Sequence, residues 1–302
     1  MAKYVIEDTT LTNTANAIRE KTGKTDKITP SNFATEIANI ETGGDTSIED
    51  ALITGTLTEL SNDRVNSIKP YLFYEGNNKN NTTLISIDLP NVTIIQEYAF
   101  DGCTALTDVN LPNVTIIQDH AFDGCTALTD VNLPNVTTVW GNCFYACSNI
   151  KSLSIPNLKE IKDMWAFAQC TNLVSINLPV ITDIEAYTFL SCTSLSNVNI
   201  PNATIIRKGV FRNCSALKEI DLPLVHSITI YAFDGCSTLE KVILRREGVC
   251  VLDTNVFTNT PIETGTGYIY VPDTLVDRYK NATNWSTFAN QIKPISELEA
   301  SA

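Results

Sequence analysis

Apolar and polar positions recur through the middle of the chain at an interval of 22 residues. The pentapeptide LTDVN occurs at 106–110 and again at 128–132. Leu-Pro or Ile-Pro dipeptides repeat at the same interval, with one step of 23, and begin at Leu89, Leu111, Leu133, Ile155, Leu178, Ile200 and Leu222. A period between about 20 and 29 residues is typical of a solenoid, in which each repeat forms one coil.

The alternation inside each repeat predicts one short β-strand. Val109 and Leu111 flank a polar residue, so one face of this strand points inward. Pro112 ends the strand, because proline lacks the amide hydrogen that a strand interior needs. Further apolar positions lead to Phe122 and Cys125, which close the coil. We therefore expect parallel strands stacked about 4.8 Å apart around a continuous apolar column.

Phenylalanine and cysteine recur three residues apart and form two further columns. The cysteine column consists of Cys103, Cys125, Cys147, Cys170, Cys192, Cys214 and Cys236. Parallel neighbouring side chains keep their Cβ atoms about 4.8 Å apart, which is more than the 3.5–4.5 Å typical of a disulfide, so we predict buried thiols. Zinc needs four ligands that converge on a point, and the only histidines are His120 and His226, so no metal site is predicted.

The joint Leu-Pro, Ala-Phe and Phe-x-x-Cys columns resemble the BspA-like leucine-rich repeat family. The resemblance covers about residues 51–261, and the C-terminal region, 262–302, also resembles that of BspA-like proteins. It implies an α+β repeat solenoid with parallel β-strands, a small helical N-terminal piece and a strand–helix C-terminal cap. Most coils are one residue shorter than is usual in the family.

The residues before the repeats predict two short helices within 1–42 and a linker at 43–50. Thr10 and Thr29 are N-cap candidates, and Pro30 suits a first helical position. The segment 11–40 is similar to a leader of tail and fibre-type proteins of bacteriophages and prophages. This similarity implies attachment to a virion or tail component, and a simple N-terminal cap on the solenoid is the alternative.

The residues after the repeats predict a strand at 268–272 and then a helix. Asp273 is a cap candidate, Leu275, Val276 and Tyr279 face inward, and Trp285 supplies a further apolar anchor. We expect this region to cover the open end of the apolar column.

Charge and motifs exclude several functions. A net charge of −13 disfavours binding to nucleic acid or to an anionic membrane. The start has no signal region and no run of 18 apolar residues occurs, so no membrane insertion is expected. Phosphate-loop, nucleophile-elbow and metalloprotease motifs are absent, so no catalytic residue and no cofactor are predicted. Asp108 and Asp130 could form an acid–base pair, but their repetition favours a solvated ladder.

The solvent-facing positions of the strands predict a ligand-contacting surface. Its candidate residues are Asp88, Asp108, Asn110, Asp130, Asn132, Asn177, Asn199, Glu219 and Asp221. These short side chains offer donors and acceptors at little entropic cost, which suits a hydroxyl-rich or peptide ligand. The alternative is that they only keep the sheet solvated.

A second candidate surface is an aromatic column two residues before the phenylalanines. Its members are Tyr98, Trp165, Tyr187 and Tyr231. These rings could stack on sugars or pack against the neighbouring coil.

The sequence as a whole predicts a non-enzymatic binding or adhesion protein. The leading hypothesis is a tail-associated module of a phage or prophage, made in the bacterial cytoplasm and carried on the virion, that contacts a host-surface glycan or protein. The alternative is a BspA-like adhesin on the bacterial cell surface, and an enzyme is the least favoured interpretation.

Overall fold

A computed structural model describes residues 82–300, together with 59–61, 68 and 70–72. In this part of the chain the protein is a parallel β-solenoid of about 10 turns built from leucine-rich repeats. The helices predicted within 1–42 and the linker at 43–50 lie outside the described residues.

Each coil contributes one strand to a sheet on one side of the solenoid, which we call the front strands. Their bounds are Glu59–Ser61, Ser86–Asp88, Asp108–Asn110, Asp130–Asn132, Ser152–Ser154, Ser175–Asn177, Asn197–Asn199, Glu219–Leu222, Lys241–Leu244, Tyr268–Val271 and Ile292–Pro294. At all but two boundaries, neighbouring front strands pair in parallel and in register, so that Asp88 faces Asn110 and Asn177 faces Asn199. The predicted strands are confirmed at their centres, and most end before the apolar residue that precedes proline, whereas Glu219–Leu222 includes Leu222.

The front strands are interrupted at two seams. Within residues 82–300, no backbone hydrogen bonding joins Asp108–Asn110 to Asp130–Asn132, or Asn197–Asn199 to Glu219–Leu222. The coils nevertheless remain stacked across both seams, because their apolar side chains belong to one buried cluster. The seams therefore divide the front strands into three hydrogen-bonded sheets, whereas the apolar core beneath them is continuous.

A second parallel sheet of two-residue strands, the back strands, follows the proline corner. Their bounds are Ile94–Ile95, Ile116–Ile117, Thr138–Val139, Glu160–Ile161, Asp183–Ile184, Ile205–Ile206, Ser227–Ile228 and Val251–Leu252. The second residue of each is buried and the first is more exposed. This sheet is interrupted after Glu160–Ile161, which belongs to the coil of 23 residues.

A column of stacked phenylalanine rings fills the core, which confirms the predicted apolar column. Its members are Phe100, Phe122, Phe144, Phe167, Phe189, Phe211, Phe233 and Phe257. Consecutive ring centroids lie between 5.2 and 5.9 Å apart, with planes tilted by at most 16°. Offset stacking of this kind adds about 0.5–1.5 kcal/mol per pair to the burial of the rings themselves.

The cysteines form a ladder of buried free thiols, as predicted. Six thiols of the column, those of Cys125, Cys147, Cys170, Cys192, Cys214 and Cys236, donate to the phenylalanine carbonyl of the preceding coil, as Cys125 Sγ does to Phe100 O at 3.1 Å. The same carbonyl accepts the backbone N–H of Cys103 in its own coil. Burial raises the pKa of Cys170 and Cys236 to about 12, so these thiols stay neutral. Each of these cysteines thus gives the phenylalanine carbonyl a second hydrogen-bond donor, which an alanine at the same position could not provide.

Each coil turns its corners with two residues in the left-handed region of backbone conformation. The second of these corners is formed by Gly102, Gly124, Ala146, Gln169, Ser191, Asn213, Gly235 and Asn259. Left-handed backbone is unfavourable for residues with a Cβ atom. It is held here by backbone hydrogen bonds between coils, such as Gly102 N to Asp123 O at 2.7 Å.

After the last coil the chain forms short helices around two more front strands. The α-helices are Pro261–Thr264, Val276–Lys280 and Ile295–Glu299, and the 3-10 helices are Asp273–Leu275 and Trp285–Phe288. Trp285 is buried beside Phe257, at 6.4 Å between ring centroids, and its Nε1 donates to Cys250 O. The Tyr279 hydroxyl accepts the N–H of Cys250 and donates to Gly248 O. Both side chains therefore contact the final coil.

The prediction that Asp273 caps a helix is wrong. Pro272 occupies the cap position of the 3-10 helix Asp273–Leu275, and no side chain caps it. Asp273 Oδ1 instead accepts the backbone N–H of Ser296 at 3.2 Å, and hydrogen bonding from the side chain of Ser296, together with this backbone bond, lowers the pKa of Asp273. This carboxylate thus links the start of the segment to its last helix, Ile295–Glu299.

Candidate functional site

The front face of the solenoid displays the predicted ligand-contacting positions as two registered columns. Alternation places the central residue of each front strand inward and leaves its neighbours outward. All nine predicted residues lie on this face, and all are exposed except Asp221, which is half-buried. The spacing of the repeats therefore determined the position of these side chains correctly.

Two pairs of predicted residues are hydrogen-bonded to each other along the columns. Asn110 Nδ2 donates to Asp88 Oδ1 at 2.8 Å, and Asn199 Nδ2 donates to Asn177 Oδ1 at 2.7 Å. These bonds orient the side chains, and no described residue accepts the second amide hydrogen of Asn110 or of Asn199. These two side-chain pairs of the front-face columns are therefore preorganised to bind a ligand from the solvent.

Carboxylates differ along the front face in whether a cation accompanies them. Lys241 Nζ lies 3.3 Å from Glu219, and Arg245 Nε lies 2.8 Å from Asp221. Asp108 and Asp130, in contrast, have no ion pair within the described ranges. The front face is thus more acidic in its N-terminal half than in its C-terminal half.

A trough of about 730 Å³ lies on the front face at the second seam. It is lined by four predicted residues, Asn177, Asn199, Glu219 and Asp221, together with Lys218 on the rim. Such a volume is in the range of small-molecule sites, about 300–1,000 Å³. The remaining predicted residues, Asp88, Asp108, Asn110, Asp130 and Asn132, lie outside the trough.

Lys218 and the trough itself were missed by the sequence analysis. Lys218 directly precedes a front strand, at the column position that Lys151 occupies three coils earlier. The repeat pattern shows which position Lys218 occupies. It does not show the seam that makes this position part of a concavity, because the seam depends on hydrogen bonding between coils.

The aromatic column lies on a different side of the coils, at the first left-handed corner. Tyr98, Trp165, Tyr187 and Tyr231 have φ between 54° and 62°. The Tyr98 ring stacks on His120 with centroids 4.5 Å apart, and Trp165 stacks on Tyr187 at 5.7 Å. The guanidinium of Arg212 lies 5.2 Å from the Tyr231 ring. The rings are half-buried, and their contacts agree with packing between neighbouring coils.

Gly209 shows how tightly this column is packed. It occupies the position of the aromatic residues with φ 59°, and a Cβ atom there would overlap the Tyr187 ring. A glycine is therefore needed at this coil if the Tyr187 ring is to keep its place. One face of Tyr187 is covered by Trp165 and the other by this backbone, which leaves little ring surface for a stacked sugar.

A cluster of titratable groups surrounds the histidine of the aromatic column. His120 Nδ1 lies 2.8 Å from Asp123 Oδ2, and this contact raises the pKa of His120. Burial and the charge of Asp123 raise the pKa of Asp101 to about 6, although His120 opposes the shift. Burial also raises the pKa of Asp119, with smaller contributions from nearby acidic groups including Asp163.

We expect the protein to become more stable as the pH falls from about 7.5 to 5.5. A raised folded-state pKa means that the native state binds protons before the unfolded chain does, and this applies to His120 below its folded pKa and to Asp101 below about 6. Melting temperatures measured across this range should rise, and less so in His120→Asn and Asp101→Asn. The exposed His226 provides a control, and a slope equal to wild type in His120→Asn but not in His226→Asn would contradict the assignment.

No group of three or more His, Cys, Asp and Glu side chains between 82 and 300 is arranged to hold a metal ion. None of the helices that the structure describes is long and apolar enough to cross a bilayer.

The parallel coils, the proline corners and the open polar face define a leucine-rich repeat protein. The model of the BspA type leucine rich repeat region matches residues 66–179 and 163–276, in six copies. These matches cover more than half of the 302 residues, so the chain belongs to the BspA type leucine-rich repeat family. Proteins of this type have a non-enzymatic binding fold, typically with surface or adhesion-like roles.

Several solved structures are similar to the chain. A leucine-rich repeat protein from Bacteroides ovatus is 20% identical over 70% of this chain and 63% of its own, with a TM-score of 0.47. The T. pallidum leucine rich repeat protein is 24% identical over 66% and 84%, with a TM-score of 0.41. A leucine rich cell surface protein from Faecalibacterium prausnitzii is 18% identical over 78% and 82%, with a TM-score of 0.31. The match thus spans less than two thirds of the B. ovatus protein. No curated protein matches the chain.

Proposed function

We propose that the protein is a non-enzymatic binding and adhesion protein whose front face contacts a host-surface glycan or protein. The observation that carries this proposal is the registered double column of exposed Asn, Asp, Ser and Glu side chains, interrupted by the trough at the second seam. A solenoid repeats such a surface over its whole length, which suits an extended ligand. Membership of the BspA type family supports a binding role.

We propose further that the protein is a tail-associated module of a phage or prophage. This proposal rests on the similarity of residues 11–40 to tail and fibre-type leaders, and the leader would attach to a virion or tail component. The second candidate is an adhesin on the bacterial cell surface, which membership of the family favours. Mass spectrometry of phage particles purified after prophage induction distinguishes the two, because a tail module copurifies with particles and an adhesin stays with the cell envelope. Tail and lysis genes as genomic neighbours would favour the first.

Replacing Asn110, Asp130 and Asn132 together by alanine should weaken binding to host cells about tenfold, or about 1.4 kcal/mol. The reason is that the variant removes adjacent donors and acceptors from both front-face columns while leaving the buried residues untouched, since all three side chains are exposed. Binding is measured by cosedimentation with host cells, and the melting temperature reports on the fold.

Aromatic variants provide the matching control. Trp165→Ala and Tyr187→Ala should lower stability through lost stacking between coils but should leave cell binding of the folded protein unchanged. Unchanged binding in the triple variant, combined with loss in the aromatic variants, would move the contact surface to the aromatic column.

A further inference from the structure

The trough at the second seam combines features that select one ligand chemistry. We propose that it binds an acidic saccharide, that is, a polyhydroxylated ligand that carries an anionic group. This inference rests on the proposed binding function and names the ligand class of one part of the front face.

A carboxylate held by an arginine and a hydrogen-bonded pair of asparagines line the trough. Asp221 Oδ2 accepts from Arg245 Nε at 2.8 Å, which fixes the carboxylate, while Asp221 Oδ1 is buried and has no hydrogen-bond partner within the described residues. Oδ1 is inaccessible to solvent whereas the Asp221 side chain as a whole is 43% exposed, so Oδ2 is the oxygen that can accept a ligand hydroxyl. Asn177 and Asn199, bonded to each other at 2.7 Å, also line the trough, and no described residue bonds to the side-chain amide hydrogens of Asn177 or to the side-chain carbonyl oxygen of Asn199. Hydroxyl groups, which both donate and accept, match this set.

The rim of the trough carries a cation that has no ion pair among the described residues. Lys218 is exposed, whereas the neighbouring cations Lys241 and Arg245 are already paired with Glu219 and Asp221. Arg245 also lies 3.8 Å from Glu299, so these pairs supply no surplus positive charge, and the ammonium group of Lys218 carries the one positive charge among the described residues that line the trough. An anionic group on the ligand would complement that charge and form a charge-assisted hydrogen bond.

The first seam provides an internal comparison on the same face. There the front strands carry Asp108 and Asp130, and Thr129 holds the position that Lys218 holds at the second seam. Neither of these carboxylates has an ion pair within residues 82–300. Repulsion would therefore exclude an anionic ligand from the first seam, so the acidic saccharide is directed to the second.

The test compares ligands that differ in charge and variants that differ in position. Titration calorimetry is run with a tetrasaccharide of hexuronic acid, a neutral tetrasaccharide of hexose and a tetramer of glycerol phosphate. The variants are Lys218→Gln, which removes the rim charge, and Lys151→Gln, which removes an exposed lysine from the same column outside the trough. Circular dichroism verifies that both variants fold.

We expect the wild type to bind the hexuronate about tenfold more tightly than the neutral saccharide, and this preference to weaken with added salt. Lys218→Gln should abolish the preference and Lys151→Gln should retain it. Tighter binding of the glycerol phosphate tetramer, with the same dependence on Lys218, would support the anionic polyol chemistry and identify phosphate as its source.

Equal affinity for charged and neutral saccharides, or equal behaviour of the two variants, would overturn the inference. No binding of any of the three probes would also overturn it, and continued loss of host-cell binding in the Asn110, Asp130 and Asn132 variant would show that the proposed function still holds. Hexuronate binding by a protein that does not bind host cells would support the trough site and contradict the proposed function.

Discussion

Truncating the chain after Pro261 is expected to destabilise the last coils and cause aggregation. The truncation removes Trp285 and Phe288, which cover the end of the phenylalanine column with centroids 6.4 and 5.4 Å from Phe257. It also removes the strand Tyr268–Val271 and so leaves Lys241–Leu244 as an unpaired edge. Loss of a buried tryptophan alone costs about 3–5 kcal/mol, and an exposed apolar strand edge promotes association.

Size-exclusion chromatography and thermal melting measure this effect. A shorter truncation after Pro294 is the control, because it removes only the helix Ile295–Glu299, which has no buried residue, and retains Trp285. The control should stay monomeric with a melting temperature close to that of the full chain. A monomer with unchanged melting after truncation at Pro261 would show that the C-terminal segment does not cap the solenoid.

Replacing Phe167 by alanine is expected to lower the free energy of unfolding by about 3–5 kcal/mol. Phe167 is fully buried in the middle of the column and stacks on Phe144 and Phe189 at 5.8 and 5.6 Å. In a solenoid each coil is stabilised by its neighbours only, so a gap in one ring weakens two interfaces at once. The coils on either side should therefore unfold less cooperatively.

Urea denaturation followed by circular dichroism tests this expectation. Phe288→Ala is the matched control, because Phe288 is half-buried and meets the column by a single edge contact. It should cost clearly less than Phe167→Ala. A larger cost for Phe288→Ala, or a single sharp transition of unchanged midpoint in Phe167→Ala, would disagree with a core built around the ring column.

The sequence predicted the front strands and the core well, because both depend on residues that repeat. Val109 and Phe122 are apolar in every equivalent position, and burial of such columns is the dominant favourable term in folding. The back strands were missed since two residues such as Ile116–Ile117 are too few for a period of two to be recognised. Asp273 was misassigned because its partner, Ser296, is distant in sequence.

The corners and the trough could not be obtained from residue types. Tyr98 and Trp165 are bulky residues in left-handed backbone, which propensity disfavours, and stacking between coils compensates. The trough depends on the absence of backbone hydrogen bonds between Asn197–Asn199 and Glu219–Leu222, two strands whose residues resemble those of the paired strands. An asparagine ladder, in which Asn113 Nδ2 donates to Pro90 O, was visible as a recurring Pro-Asn dipeptide and was overlooked.

The bonds that join one coil to the next have a consequence for how the length of the protein can change. Phe100 N donates to Ala121 O at 2.8 Å, and Phe122 N donates to Cys143 O at the same distance. Because most boundaries between coils use this same set, recombination between near-identical units can add or delete 22 residues and leave every donor with an acceptor. Each event would extend or shorten the molecule by about 4.8 Å. The length of the solenoid can therefore change through whole coils, while the ligand that it binds changes through single substitutions on the front face.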